Sequence, residues 1–260
     1  MAAKVGVDAS VADLSTLHED ALRQRILTRP VPRHVAVIMD GNGRWPTTRG
    51  LPRAAGHGEG VKSLRSVVRA AGELGVQFLT IYAFSSENWQ RPPHEVSTLM
   101  TLLERSIERE LPELMERNVR FRAIGRPDGV PPRVAAGIRR LMDTTAGNTG
   151  LTLLMAFNYG GRDEMVDAVR ALARQVQSGA LRPEDIDEVR VARALYTDGV
   201  PDPDLLVRTS GEQRLSNFLL WQIAYTELWM TPILWPDFGA REFCIAVAEF
   251  QQRNRRFGRV

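Results

Sequence analysis

The stretch His34-Val35-Ala36-Val37-Ile38-Met39-Asp40-Gly41-Asn42-Gly43-Arg44-Trp45 decides the fold. It opens as an apolar run of strand length and ends abruptly at Asp40-Gly41, where a carboxylate and two glycines break the pattern. Outward from this run, apolar segments of strand length alternate with helical periodicities, the pattern of a sheet covered by helices. Further strands are expected at 76–84, 119–124, 151–157 and 204–207. Helices are expected at 60–74, 94–117 with a kink at Pro112, 132–145, 161–177, 183–196 and 241–253. Leu14, Leu17, Leu22 and Ile26 mark a short leading helix before Pro30. The fold class that follows is α/β, a single domain with a mostly parallel central sheet flanked by helices. The main unit spans 31–260 after an N-terminal extension at 1–30.

Composition narrows the function. The chain has 260 residues, 43% of them hydrophobic and 25% charged, which places it among globular proteins. Net charge is +3, and 32 of the 34 basic residues are arginine, whose planar fork suits phosphate but also follows from genomic bias. The arginines alternate with acids and form no basic tract, so nucleic acid is not an expected partner. Cys244 is the single cysteine, which excludes a disulfide framework and a cysteine-built zinc site. No run approaches the roughly 20 apolar residues of a spanning helix. A cytoplasmic protein is expected, peripheral to a membrane if its product is lipid.

In parallel sheets, ligands lie beyond the carboxyl ends of strands. That rule selects Asp40, Ser85 and Arg208, each just past an apolar run. Asp40 with Gly41, Asn42, Gly43 and Arg44 combines a carboxylate able to hold Mg²⁺, backbone amides free to approach a ligand, and a guanidinium. From spacing alone, a plain glycine turn remains open. Arg49, Arg53 and His57 follow in RGLPRAAGHGEG, where cations accompany small residues. Ser85-Ser86-Glu87-Asn88-Trp89-Gln90-Arg91 adds polar groups, an aromatic plate and another arginine, beyond what a helix cap requires. Arg208, Arg214, Ser216 and Asn217 place two guanidiniums and a hydroxyl after a later strand, a set suited to a second diphosphate. Lys62 lacks the glycines of a Walker loop, Gly41-x-Gly43 lacks the third dinucleotide-fold glycine, and no Asp-Asp-x-x-Asp is present.

Six blocks, HVAVIMDGNGRW, GHGEG, YAFSSENWQRP, LTLLMAFNYGGRDEM, RTSGEQRLSNFLLWQIAYTEL and LWPDF, together resemble the undecaprenyl diphosphate synthase family of cis-prenyltransferases, in the family's order. The resemblance implies that isopentenyl diphosphate is condensed with an allylic diphosphate such as farnesyl diphosphate to give a long cis-polyprenyl diphosphate, of undecaprenyl length, for a cell-wall lipid carrier. It assigns Asp40 to Mg²⁺ on the allylic diphosphate, with Gly41, Asn42, Gly43, Arg44, Arg53 and His57 around it. Trp45 and Trp89 would line substrate-facing surfaces, and Ser85, Ser86, Glu87 and Arg91 belong to the same substrate-binding set. Arg208, Arg214, Leu215 and Ser216 would bind isopentenyl diphosphate, and Glu227 would share the metal site. Asn88 matches a residue tied to proton removal, although a neutral amide is a poor base and an orienting role suits it better.

The family resemblance also implies an apolar tunnel for the growing chain, and the apolar face of the 94–117 helix is the candidate wall; ordinary core explains that face equally well. Ala83 is small and could leave the tunnel mouth open. A homodimer is expected, with Arg256-Phe257-Gly258 completing a neighbour's site and the apolar 216–235 region contributing to the interface. The alternatives are a shorter-chain cis-prenyl diphosphate synthase and a non-catalytic partner subunit of the same fold; the presence of Asp40, Arg44, Arg208 and Glu227 favours an enzyme over the latter.

Overall fold

His34–Ile38 forms β1, and all five of its residues are buried. Val35 and Val37 join one apolar cluster, while Ala36 and Ile38 join another. A strand covered on both faces reads as a near-continuous apolar run, here Val35–Ile38 after a hydrogen-bonded His34, which is why no polar alternation marks it. The computed structural model describes residue 14 and residues 16–253. In chain order come α1 (Glu19–Leu27), β1, α2 (Arg44–Thr47), α3 (Arg53–Glu73), β2 (Phe78–Ser85) and α4 (Pro93–Glu116). These are followed by β3 (Arg120–Ile124), α5 (Pro132–Thr145), β4 (Thr152–Tyr159), α6 (Gly161–Gln177), α7 (Glu188–Ala194), β5 (Leu205–Arg208), β6 (Glu227–Met230) and α8 (Ala240–Phe250).

The six strands form one sheet in the order β3-β4-β2-β1-β5-β6, and every pairing is parallel. The larger cluster lies between the sheet and helices α1, α3, α4, α5 and α8. The opposite face packs on Tyr159, Tyr196 and the 215–223 segment, with Tyr82 stacked on Phe218 at 4.4 Å between ring centroids. Each Leu, Ile or Val withdrawn from water contributes about 1.5–3 kcal/mol, which makes these two layers the main source of cohesion. From β1 the chain moves to β2 on one side and later returns to β5 on the other. The carboxyl ends of β1, β2 and β5 therefore flank the point where strand order reverses, where a ligand crevice opens.

Several elements differ from expectation. The long helix begins at Arg53, not near residue 60, and takes in the glycines of GHGEG. Glycine costs roughly 1 kcal/mol in a helix interior relative to alanine, but a side chain at Gly56 would overlap the Asn42 carbonyl and the Pro46 ring, and one at Gly60 would overlap the Asn42 amide. Those glycines let α3 lie directly on the loop after β1. The expected 183–196 helix is divided into a 3₁₀ turn, Pro183–Asp185, and α7, because the Asp187 side chain accepts from the Arg190 N–H at 2.8 Å and starts a new helix. α4 continues past Pro112 without a break in its assignment. The four-residue edge strand β6 was not expected; its stretch is too short to show a period. The leading helix docks on α8 through buried Leu22 and Ile26, while Gln251 donates to the carbonyls of Ile26, Arg29 and Pro30.

Part of the apolar stretch between 216 and 235 belongs to the core. Phe218, Leu219, Ile223 and Trp235 are buried, and among the large apolar side chains of that stretch only Tyr225 and Leu228 are exposed. The Arg256-Phe257-Gly258 motif lies outside the described residues.

Candidate active site

Asp40 follows β1 and Arg208 ends β5. Because Ile38 is in register with Arg208, the two side chains meet beyond the strand ends. Arg208 is only 2% exposed, and its Nη2 donates to Asp40 Oδ2 at 2.9 Å. Its Nη1 donates to Ser216 Oγ at 2.8 Å and to the Arg214 carbonyl, while its buried Nε has no hydrogen-bond partner among the described residues. Burial pushes the Asp40 carboxyl up, but the bond and charge of Arg208, with Ser210 and Arg44, outweigh it and hold the group below the usual carboxylate range. Thr209 fixes the backbone here, accepting from the Asp40 N–H at 2.9 Å and donating to the Asp40 carbonyl at 2.7 Å.

The loop after Asp40 turns through Gly41 at φ 105°, where Leu234 leaves no space for a side chain. Arg44 opens α2, about half exposed; its Nη2 donates to Ser210 and lies 3.6 Å from Asp40 Oδ1 and 3.3 Å from Glu212. β2 loses regular register with β4 between Tyr82 and Ser85, and a 3₁₀ turn at Ser86–Gln90 follows. Such irregularities re-aim side chains at strand ends. Asn88 Oδ1 accepts from the Ser85 N–H at 3.1 Å. Glu87 accepts from Asn217 at 2.8 Å; burial pushes its carboxyl up, but the bond from Asn217 and neighbouring hydroxyls bring it below the ordinary value. Asn217 also receives the Arg162 N–H at 2.9 Å and gives its carbonyl to the Gly161 N–H at 2.6 Å, so the NYGGR and SNFLL segments are tied together at this residue.

These groups surround a cavity of about 840 Å³ lined by Asp40, Gly41, Asn42, Gly43, Arg44, His57, Ser85, Glu87, Asn88, Arg91, Arg208, Arg214 and Ser216, together with Tyr82 and Asn217. An adjoining cavity of about 210 Å³ is almost wholly apolar, bounded by α3, α4 and the strands beneath. Met39, Asn42, His57, Ala83 and Leu99 line both, so the polar cleft and the apolar chamber lie side by side at these residues. Leu99, Leu103, Ile107 and Leu114 of α4 form part of the chamber wall.

Other expected site residues stand elsewhere. Trp45 is held by Asp237 at 2.6 Å and stacked under Arg49, whose guanidinium lies 4.5 Å from the ring centroid. Trp89 donates to Asn158 at 2.7 Å and packs edge-on against Phe84, serving as frame rather than cleft lining. Ser86 faces Gly160, where a side chain would overlap its hydroxyl, and Leu215 packs on the core layer of Tyr82 and Phe218. Arg53 begins α3. Glu227 is not brought to Asp40 within one chain: it begins β6 opposite Leu205, at the other end of the sheet, and its carboxylate pairs with Arg253 at 3.0 Å. Asp40 and Glu227 therefore form no shared metal site within a single subunit. Tyr82 is a cleft residue that motif reading left outside the expected site, whereas Asn217, expected beside Arg208, Arg214 and Ser216, does line the cleft. Asn217 and its neighbour Ser216 both adopt positive φ, at 62° and 49°. Backbone strain of this kind is invisible in sequence.

With this geometry established, comparison with known proteins identifies the family. Residues 38–258 match the family model described as "Putative undecaprenyl diphosphate synthase". The chain belongs to this prenyltransferase family. It is 52% identical over 238 residues to the isoprenyl transferase of Geobacillus kaustophilus, covering 92% of this chain and 93% of that one. The isoprenyl transferase of Bacillus subtilis is 50% identical, with 92% of each chain covered. Among solved structures, lavandulyl diphosphate synthase from Lavandula x intermedia, in complex with dimethylallyl diphosphate, superposes with a TM-score of 0.86 at 39% identity, covering 88% of this chain and 98% of the other. A structure described as a "probable undecaprenyl diphosphate synthase" from Campylobacter jejuni gives 0.73 at 32% identity over 88% and 100%. The expected α/β class is met, with a sheet parallel throughout. No helix among the described residues is long and apolar enough to cross a membrane.

Proposed function

We propose that this prenyltransferase is a magnesium-dependent cis-prenyltransferase that extends an allylic diphosphate, farnesyl diphosphate in the first instance, with successive molecules of isopentenyl diphosphate. The observation that carries this reading is that the polar cleft and the apolar chamber adjoin, with Met39, Asn42, His57, Ala83 and Leu99 lining both. A diphosphate at the cleft and a hydrocarbon tail in the chamber match the two halves of a prenyl diphosphate. Sustained cis addition yields a long polyprenyl diphosphate; the description of the matching family model supports undecaprenyl length, and a product of that kind would serve as a cell-wall lipid carrier passed to the membrane.

The donor set fits magnesium carried in by substrate. Mg²⁺ keeps several waters and commonly binds one or two carboxylates plus substrate phosphates, without an all-protein cage. Asp40 offers one partly exposed carboxylate between two arginines, and no group of three or more metal-ligating side chains exists among the described residues. Asp40 would hold the ion, which supplies charge neutralisation on the allylic diphosphate. The chain's own residues do the rest. Arg44 at the mouth and the amides of the Gly41–Gly43 loop bind the allylic diphosphate and stabilise the charge that grows on it as the carbon–oxygen bond ionises. Arg208, joined to both Asp40 and Ser216, links this subsite to the one that holds isopentenyl diphosphate beside Arg214. Asn88, whose amide oxygen already accepts from Ser85, orients substrate and does not take the proton.

The test is incubation of the pure protein with Mg²⁺, farnesyl diphosphate and labelled isopentenyl diphosphate, followed by sizing of the products, with a chelator control. A ladder of several five-carbon additions is expected, abolished by chelation; no addition overturns the proposal. A second reading, a short-chain coupling enzyme, is favoured by the likeness to lavandulyl diphosphate synthase and by the small chamber. A single addition in the same assay selects it. A homodimer is also proposed, supported by exposed Val166, Val169, Val189, Tyr225 and Leu228.

A further inference from the structure

The apolar chamber is smaller than the product of repeated elongation. It holds about 210 Å³, below the roughly 300–1,000 Å³ of ordinary small-molecule pockets, and a chain of many five-carbon units needs more. Its walls differ in how they can yield. Phe121, Leu153 and Met155 form a floor on the continuous parallel sheet. The opposite wall is the seam between α3 and α4, and its far end is closed by charge. Arg65, Arg69 and Glu73 recur at helical spacing along α3; Glu110, Glu113 and Arg117 do so along the end of α4. Arg65 Nε donates to Glu110 at 2.9 Å and lies 3.3 Å from Glu113. Arg69 also bonds Glu113, and Arg117 reaches Glu113 at 3.2 Å and Glu73 at 3.7 Å. Arg23 of α1 extends the ladder by bonding Glu73. Arg65, Glu110, Glu113 and Arg117 line the chamber as well, so the ladder is part of its wall.

We infer that this ladder is a length-setting clasp: Glu113, held by Arg65, Arg69 and Arg117, ties α3 to α4, and opening of the clasp admits the growing chain. The inference rests on the elongation reading above. Ion pairs at a solvent boundary are weak and screened by salt. When the helices part, the charges turn into water and none is left stranded in a dry interior, so the seam can open where the sheet floor cannot. Glu113 is the specificity-determining residue because three cations converge on it.

The test compares wild type, Glu113→Gln and Arg69→Gln as full chains with Mg²⁺, farnesyl diphosphate and labelled isopentenyl diphosphate. Single-turnover rates report the first addition, and steady-state product sizing reports length. Expected is a first-addition rate within about twofold of wild type, with the product distribution moved longer by at least one five-carbon unit in both variants and in wild type at raised salt. An unchanged or shorter distribution, or a slower first addition at unchanged length, overturns the clasp and leaves these residues as supports of the fold. Arg69→Gln, altered at a 44% exposed side chain, carries the test if Glu113→Gln does not fold. Failure of wild type to add any unit sinks the elongation reading, and the clasp with it; a wild-type ladder that the variants leave unmoved sinks the clasp alone.

Discussion

The polar cleft and the apolar chamber share a wall yet are held together in different ways. In the cleft, every feature is pinned by direction: Arg208 bridges Asp40 and Ser216, Asn217 ties Glu87 to the start of α6, and Gly41 and Ser216 adopt positive φ to do so. In the chamber, side chains such as Leu64, Leu103 and Ile107 are held only by contact, and the charged clasp supplies direction solely at its far end. Directional networks lose function when one member is removed, whereas apolar walls change capacity by degrees. Substitutions in the two regions should therefore differ in kind.

The largest effect belongs to the cleft. Asp40→Ala is expected to reduce turnover on the order of 10²-fold or more, the scale of a lost electrostatic contact to a developing charge. Secondary structure should persist, since Asp40 is 29% exposed and serves no packing role. Removing it leaves Arg208 buried without its counter-charge, so some loss of melting temperature accompanies the loss of activity. Near-wild-type turnover in a folded variant would take Asp40 out of the mechanism and weaken the contrast between the regions.

Acid separates the cleft from the far end of the sheet. His34, at the start of β1, is 1% exposed, with its ring nitrogens 2.6 Å from the Pro201 carbonyl and 2.7 Å from Thr80 Oγ1. Burial pushes its imidazole down from 6.5 to about 4, only partly offset by Pro201 and Asp204. The unfolded chain thus binds a proton below pH 6.5 that the folded chain refuses until about pH 4, so stability is lost as the pH is lowered from about 6.5 to about 4. The loss is about 3 kcal/mol when complete. Asp40 behaves differently: its folded value lies below 3.8, so its contribution survives this window and is lost only at lower pH. Chemical denaturation at pH 7 and pH 4 should show the loss in wild type and much less of it in His34→Gln. An equal loss in the variant would place the acid sensitivity elsewhere.

The junction between the regions gives a smaller, graded effect. Ala83 lines both cavities, so Ala83→Leu should leave the first addition near its normal rate while moving the product distribution shorter. Overpacking at such a site costs roughly 1–3 kcal/mol. An unmoved product ladder would remove Ala83 from the path of the chain.

Sequence made the cleft far more legible than the chamber. Asp40, Ser85 and Arg208 could be located because strand ends are where an apolar run meets a polar residue, and the parallel sheet brings such ends together. GHGEG gave a misleading signal: glycines normally mark a loop, but here Gly56 and Gly60 sit inside α3 because the Asn42 backbone and amide leave no room for a side chain. Glu227 was placed by motif, and only register shows that it opens β6 at the opposite end from Asp40. The chamber's apolar positions have the same periodicity as ordinary core, so a cavity cannot be told from packing until the helices are placed. The ion-pair stripes of α3 and α4 look in sequence like two solvated faces, and only their apposition makes them a seam.

The smallest expected effect tests whether aromatic residues near the cleft belong to the frame or to the substrate surface. Trp45 follows Arg44, and motif reading placed it against substrate. In the fold its indole N–H is taken by Asp237 and its ring is covered by Arg49, which itself donates to Asp237 at 3.0 Å. These three residues form a closed group around α2, and none of them lines the cleft. Trp45→Phe keeps a ring for Arg49 to cover and removes only the hydrogen bond, so a loss of about 0.5–1.5 kcal/mol in stability is expected. Removing the cation with Arg49→Ala should cost about 0.5–1 kcal/mol from the exposed cation–π contact. In both variants kcat and KM for either diphosphate should stay within about twofold of wild type, because neither group meets the reacting atoms. A tenfold rise in KM for the allylic diphosphate in Trp45→Phe would mean that the indole leaves Asp237 when substrate arrives. The cleft would then extend over α2, and its frame would be less fixed than the bonds around Arg208 imply.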